Sequence, residues 1–176
     1  MITLKSAREI EAMDKAGDFL ASIHIGLRDL IKPGLDMWEV EEYVRRRCKE
    51  ENFLPLQIGV DGAMMDYPYA TCCSLNDEVA HAFPRHYILK DGDLLKVDMV
   101  LGGPIAKSDL NVSKLNFNNV EQMKKYTQSY SGGLADSCWA YAVGTPSEEV
   151  KNLMDVTKEA MYKGIEQAVV GNRIGD

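Results

Sequence analysis

Apolar residues recur at three- and four-residue steps along the first part of the chain: Ile10, Met13, Ala16, Leu20, Ile23, Leu27, Leu30 and Ile31. That spacing predicts a long amphipathic helix with this face turned inward. Ser6 with Glu9 three residues on forms a capping box at its start, and Pro33-Gly34 ends it. Asp36 with Glu39 reads as a second cap, opening a helix to about residue 52 with Met37, Val40, Tyr43 and Val44 inward.

From Leu54 to Leu101 the texture changes to short apolar runs punctuated by Asp-Gly, Tyr-Pro and Asn-Asp pairs, which predicts strands and hairpins. "ATCCSL" (70–75) and "EVAHAF" (78–83) flank a two-residue turn at Asn76-Asp77. "LLKVDMVL" (94–101) is the next strand, entered through the Gly92-Asp93 turn. Residues 107–131 interrupt the pattern; they are polar, with four lysines against two acids and a weak helical stretch near Val120–Tyr126. A segment this long without strong structure predicts an insertion looping out between two strands. Strand texture resumes in "LADSCWAYAVG" (134–144).

Thr145 as cap, Pro146 at the first helical position and Glu148 at the third open a further helix, with Val150, Leu153, Val156, Met161, Ile165, Ala168 and Val169 inward up to Gly171. Asp176 then falls where a cap for another helix belongs. The order helix, glycine turn, aspartate cap occurs at 6–52 and begins again at 145–176. This layout reads as half of an internally repeated fold over 1–176, incomplete at its carboxy-terminal end, with 107–131 as an inserted loop.

Composition narrows the class. The chain has 176 residues, 45% apolar and 27% charged, the balance of a soluble globular protein. A net charge of −7 and a pI near 5.0 argue against a surface built to bind phosphates, so nucleic acid is not an expected partner. The densest basic run, "VRRRCK" (44–49), has acidic neighbours and reads as a solvated face. The amino terminus lacks the apolar core of a signal peptide, and no run reaches membrane-spanning length. Cys48, Cys72, Cys73 and Cys138 follow no disulfide spacing and read as reduced, cytoplasmic thiols.

The candidate chemistry lies in the strands. Alternation puts Leu94, Lys96, Asp98 and Val100 on one face of 94–101, and Leu95, Val97, Met99 and Leu101 on the other. In 135–143, Asp136 shares a face with Cys138, Ala140 and Ala142. An aspartate in an apolar strand is either a rim residue or a charge with a partner. If the two strands pair, the carboxylates approach one another. Their repulsion is then relieved by a proton or by a divalent cation with hard oxygen ligands. His81 lies on the run before Asp98; alone it reads as an ordinary partly buried histidine sooner than as a catalytic one. His24 and His86 show no partner, and no Ser-His-Asp constellation, phosphate loop or dinucleotide turn is present.

The residues Tyr67-Pro68, Cys72, Ser74, Asn76-Asp77, His81, Pro84, Gly92-Asp93, Asp98 and Gly133–Asp136, with "SLNDEVAH" and "GDLLKVDMV" in this order, resemble the type I methionine aminopeptidases. The similarity covers nearly the whole chain outside 107–131. It implies a pita-bread α/β (α+β) fold, of which this chain holds the amino-terminal half and the first helix of the second. It implies a monomeric cytoplasmic hydrolase that removes the initiator methionine from nascent chains with a small second residue, near the ribosome. Two divalent metals (Co, Mn, Fe or Zn) and a monovalent cation come with that resemblance. Asp98 would chelate one metal and Asp136 bridge both; His81 would contact the scissile amide. Tyr67 and Cys72 would line the methionine pocket, and Asn76 would help hold the monovalent cation through its loop. Ala82 stands where the family usually has glycine, and Met64 where an aromatic is common. The further His and two Glu ligands of the family have no counterpart before residue 176, which implies a chain inactive by itself. A non-catalytic pita-bread binding module and a prolidase-like metallopeptidase are the competing readings.

Overall fold

A computed structural model describes residues 4–175. Met1–Thr3, part of the leader reading, and Asp176, read as a cap, lie outside the described residues. Helix α1 (Ala7–Leu30) starts on the expected capping box: Glu9 N–H donates to Ser6 Oγ at 3.3 Å, and the Glu9 carboxylate accepts the Ser6 N–H at 2.7 Å. Its buried stripe runs through Ala16, Leu20, Ile23 and Leu27, whereas Ile10 and Met13 are exposed. Periodicity marks which residues share a face; it does not say how far the covering surface extends. Helix α2 (Trp38–Glu51) begins just after Asp36, whose carboxylate accepts the Trp38 N–H at 3.1 Å. It ends at Asn52, in the left-handed region at φ 60°.

The sheet is antiparallel throughout and is built on β3 (Leu94–Gly102). The short β1 (Leu54–Pro55) and β2 (Cys72–Leu75) follow one another along one edge of β3, and β4 (Leu134–Ala142) takes the other edge along its whole length. Leu95, Val97, Met99 and Leu101 are fully buried and join Ile23, Leu27, Val40 and Val44 of the two helices in one core. The opposite face, with Lys96, Asp98 and Val100, is only half-buried. The alternation expected from the sequence is therefore the layer structure itself.

Three expectations are corrected. Residues 78–83 form no strand. Cys73 N–H donates to the Ala82 carbonyl at 2.9 Å, but Leu75 N–H turns to the Glu78 carboxylate and Ala82 N–H to Ser74 Oγ, so side chains take donors a ladder would need. Residues 107–131 do not loop out. A 3₁₀ turn (Val112–Lys114) and α3 (Val120–Ser129) fold back so that Val112, Leu115, Phe117 and Met123 enter the core. Asn52 pins the root of the segment: its amide donates to the Ile105 and Leu110 carbonyls and its oxygen accepts the Val112 N–H.

The third correction concerns α4 (Glu148–Glu166). It is capped by Ser147, not Thr145, and buries no residue; Leu153, Val156, Met161 and Ile165 are all more than half exposed. Gly171 lies beyond its end, in the following turn at φ 106°. The helix is amphipathic, as its pattern predicts, but among the described residues nothing covers its apolar side.

Candidate functional site

The β3–β4 register decides whether the two aspartates meet. Asp98 stands opposite Cys138, and Asp136 opposite Val100, so the acids are diagonal neighbours on one face. Diagonal neighbours across a ladder are about 7–8 Å apart, within reach of side chains that lean toward each other. Burial raises the Asp98 carboxyl above its ordinary range, and the adjacent Asp136 raises it further through its charge and a shared proton; His81 pulls it part of the way back. Neither acid makes an ion pair with a lysine or arginine among the described residues. Carboxyls converging without a cation of the chain's own are suited to a divalent metal, whose charge would relieve their repulsion. No cluster of three or more His, Cys, Asp or Glu groups is placed to hold a metal among the described residues. The pair fits part of a coordination shell.

His81 comes to this face by its backbone. It occupies the left-handed region at φ 59°, a conformation unusual for a side-chain-bearing residue and costing on the order of 1 kcal/mol. The Cys73–Ala82 and Ala82–Ser74 bonds hold it there. The imidazole is exposed and feels the Asp98 charge.

Cys72 sits opposite Asp98 on the other side, and burial pushes its thiol up, away from the thiolate form a nucleophile needs. The Tyr67 hydroxyl is shared between the carbonyls of Thr71, at 3.0 Å, and Ala82, at 3.3 Å. The Tyr67 ring packs edge-on against Phe83 and Tyr69. The structure thus gathers Asp98, Asp136, His81, Cys72 and Tyr67 around the middle of β3.

Asn76 stands apart. It shapes the turn into β3, with φ 51°, its amide donating to Asp93 at 3.0 Å and its side-chain oxygen accepting the Leu94 N–H at 2.9 Å. Its main-chain carbonyl, in the loop expected to help hold a monovalent cation, accepts from the Lys96 ammonium at 2.7 Å. A positive charge belonging to the chain already sits on that oxygen.

Several residues of the site escape a reading by pattern. Tyr69, Phe83 and Gln57, whose amide lies 3.4 Å from Cys72 Sγ, carry no periodic or motif signal. The basic run at 44–49 is not simply a solvated face. Arg45 pairs with the buried Glu41 and donates to the Pro68 carbonyl at 3.0 Å and to Asn118 at 2.7 Å. His24 and His86 also have partners: Tyr141 and the Ser137 carbonyl for the first, Asp36 for the second.

Residues 11–104 match metallopeptidase family M24. The chain is 32% identical to methionine aminopeptidase 1 of Bacillus subtilis (strain 168) over 176 residues, covering 100% of this chain and 58% of that protein. A solved methionine aminopeptidase structure from Streptococci superposes with a TM-score of 0.92 at 99% identity, covering 100% of this chain and 62% of that one. The methionine aminopeptidase of Thermotoga maritima superposes at 0.73 with 31% identity, covering 96% and 55%. The chain spans about 58% of the length of the curated relatives it matches. The sheet and helices described above take their place in the pita-bread fold of these neighbours. With the match extending over more than half of its residues, the chain belongs to the M24 family of metal-dependent peptidases.

Proposed function

We propose that this chain supplies the amino-terminal part of a methionine aminopeptidase, removing the initiator methionine from nascent chains whose second residue is small. The Asp98–Asp136 carboxyl pair, with His81 beside it, carries the reading. Asp98 and Asp136 hold divalent metal (Co, Mn, Fe or Zn), which when bound supplies Lewis-acid chemistry and an activated water. His81 donates to the scissile amide region and steadies charge developing there. Tyr67 and Cys72 form the wall against which the methionine side chain packs.

Two aspartates cannot fill two coordination shells, so the remaining donors come from outside residues 1–176, and 1–176 is an incomplete catalytic domain with 107–131 inserted in it. The monovalent cation expected at Asn76 is replaced in this reading by the Lys96 ammonium. In this reading the protein acts as a monomer in the cytoplasm near the ribosome; among the described residues no helix is long and apolar enough to cross a membrane.

The test is release of methionine from a Met-Ala peptide, with Mn or Co added, by the 176-residue chain alone and joined to a segment completing the length of the Bacillus relative. The joined protein is expected to release methionine and to ignore Xaa-Pro peptides, and the chain alone to be inactive. Asp98→Asn or Asp136→Asn in the joined protein should abolish turnover. Metal-dependent release by the isolated chain would refute the division of ligands. Cleavage of Xaa-Pro peptides would replace the substrate assignment with the prolidase-like one.

A further inference from the structure

Residues 58–68 form a loop closed at its neck by two main-chain bonds, Gly59 N–H to the Tyr67 carbonyl and Tyr67 N–H to the Val60 carbonyl, both 2.8 Å. The loop thereby ends on Tyr67, the pocket-wall residue. Its outer part is held by the inserted helix α3. Lys124 Nζ binds Asp61 and reaches both oxygens of Asp66, at 2.9 and 3.0 Å. Thr127 Oγ donates to the Ile58 carbonyl at 3.2 Å. The helix lies so close that a Cβ on Gly59, whose φ is +89°, would stand 2.6 Å from the Lys124 Cα. Only glycine permits that approach and that backbone. A second tie joins the same two segments, since the Arg45 guanidinium bridges Asn118 of the insertion to the carbonyl of Pro68.

The contacts therefore run without a break from the insertion, through the loop neck, to the Tyr67 hydroxyl and the carbonyl of Ala82, beside His81. We infer that Lys124 is a positioning residue: by clamping Asp61 and Asp66 it fixes the 58–68 loop and so sets where Tyr67 stands in the methionine pocket. The role of the pocket rests on the function proposed above; the clamp does not. Lys124 touches neither the carboxyl pair nor His81, so the clamp acts on substrate fit and leaves the reacting atoms alone. A loop whose exposed tip carries Met64 has little apolar burial to fix it, which is why an external clamp matters here.

The experiment has two readouts. Amide hydrogen exchange at Gly59 and Tyr67 is measured in the described chain, without metal, for wild type, Lys124→Ala, Lys124→Arg and the pair Asp61→Asn with Asp66→Asn. The KM and kcat for a Met-Ala peptide are measured in the metal-loaded full-length enzyme. Lys124→Ala and the double asparagine variant are expected to speed exchange at both amides roughly three- to tenfold, and to raise KM about three- to fivefold with kcat within about twofold. Lys124→Arg is expected to restore both. Salt near 1 M should move wild type toward Lys124→Ala, because partly exposed ion pairs are screened. Unchanged exchange in both charge-removing variants overturns the clamp, and faster exchange with unchanged KM overturns its role in the pocket. Failure of the wild-type enzyme to release methionine instead overturns the proposed function and leaves the exchange result standing.

Discussion

Glu41 is a fully buried carboxylate that anchors the entry to β2, the strand facing Asp98. It accepts the N–H groups of Ala70 and Thr71 at 2.8 and 2.9 Å and the Thr71 hydroxyl at 2.6 Å, and it pairs with Arg45. These bonds fix the start of β2, and with it Cys72 opposite Asp98. Removing one member of a buried, hydrogen-bonded ion pair leaves the other uncompensated, so Glu41→Ala should lower stability by about 3–5 kcal/mol in urea unfolding. His24 makes a prediction in pH. Burial holds its imidazole at about 4, with the Ser137 carbonyl pulling slightly upward, while Tyr141 and Trp139 complete its surroundings. Between pH 6.5 and 4 the unfolded chain binds a proton that the native chain refuses, so stability falls as pH drops through that window and levels off below it. The loss from this group is at most about 3 kcal/mol, and urea midpoints at pH 7 and pH 5 should differ far less in His24→Gln.

Among the elements, α3 and α4 reverse what their sequences suggest. The insertion is polar overall, yet a few apolar residues in it are enough to dock it, and Met123 is fully buried. Met123→Ala should therefore cost about 2–5 kcal/mol, as a core truncation does; a change below about 0.5 kcal/mol would mean that the segment is not part of the cooperative unit. α4 is as amphipathic as α3, yet among the described residues nothing covers its apolar side. Leu153→Asp is expected to leave the melting temperature of this chain nearly unchanged, whereas Leu27→Asp in α1 should prevent folding. Alternation and capping are local rules, which is why α1, α2, β3 and β4 could be placed from the sequence within a residue or two. The strand expected at 78–83 failed because Glu78 and Ser74 compete for backbone donors, and no periodicity reports such competition.

At the scale of the molecule, a helical layer covers one face of the sheet, the carboxyl pair lies on the other, and among the described residues no strand pairs with the outer edge of β4. Such a layout leaves the candidate site open on the side from which the proposed further metal donors would come. The sequence by itself determined the two faces of β3, the cap of the first helix, and the strand faces that Asp98 shares with Lys96 and Asp136 with Cys138. Each depends on spacing within one element or on a short motif. Tertiary structure alone decided the register that brings the two acids together, the burial of His24 and Glu41, the docking of the insertion on the 58–68 loop, and the bare face of α4. Those outcomes depend on which surfaces meet, and a residue's identity fixes what it would gain from a partner without fixing whether the folded chain provides one.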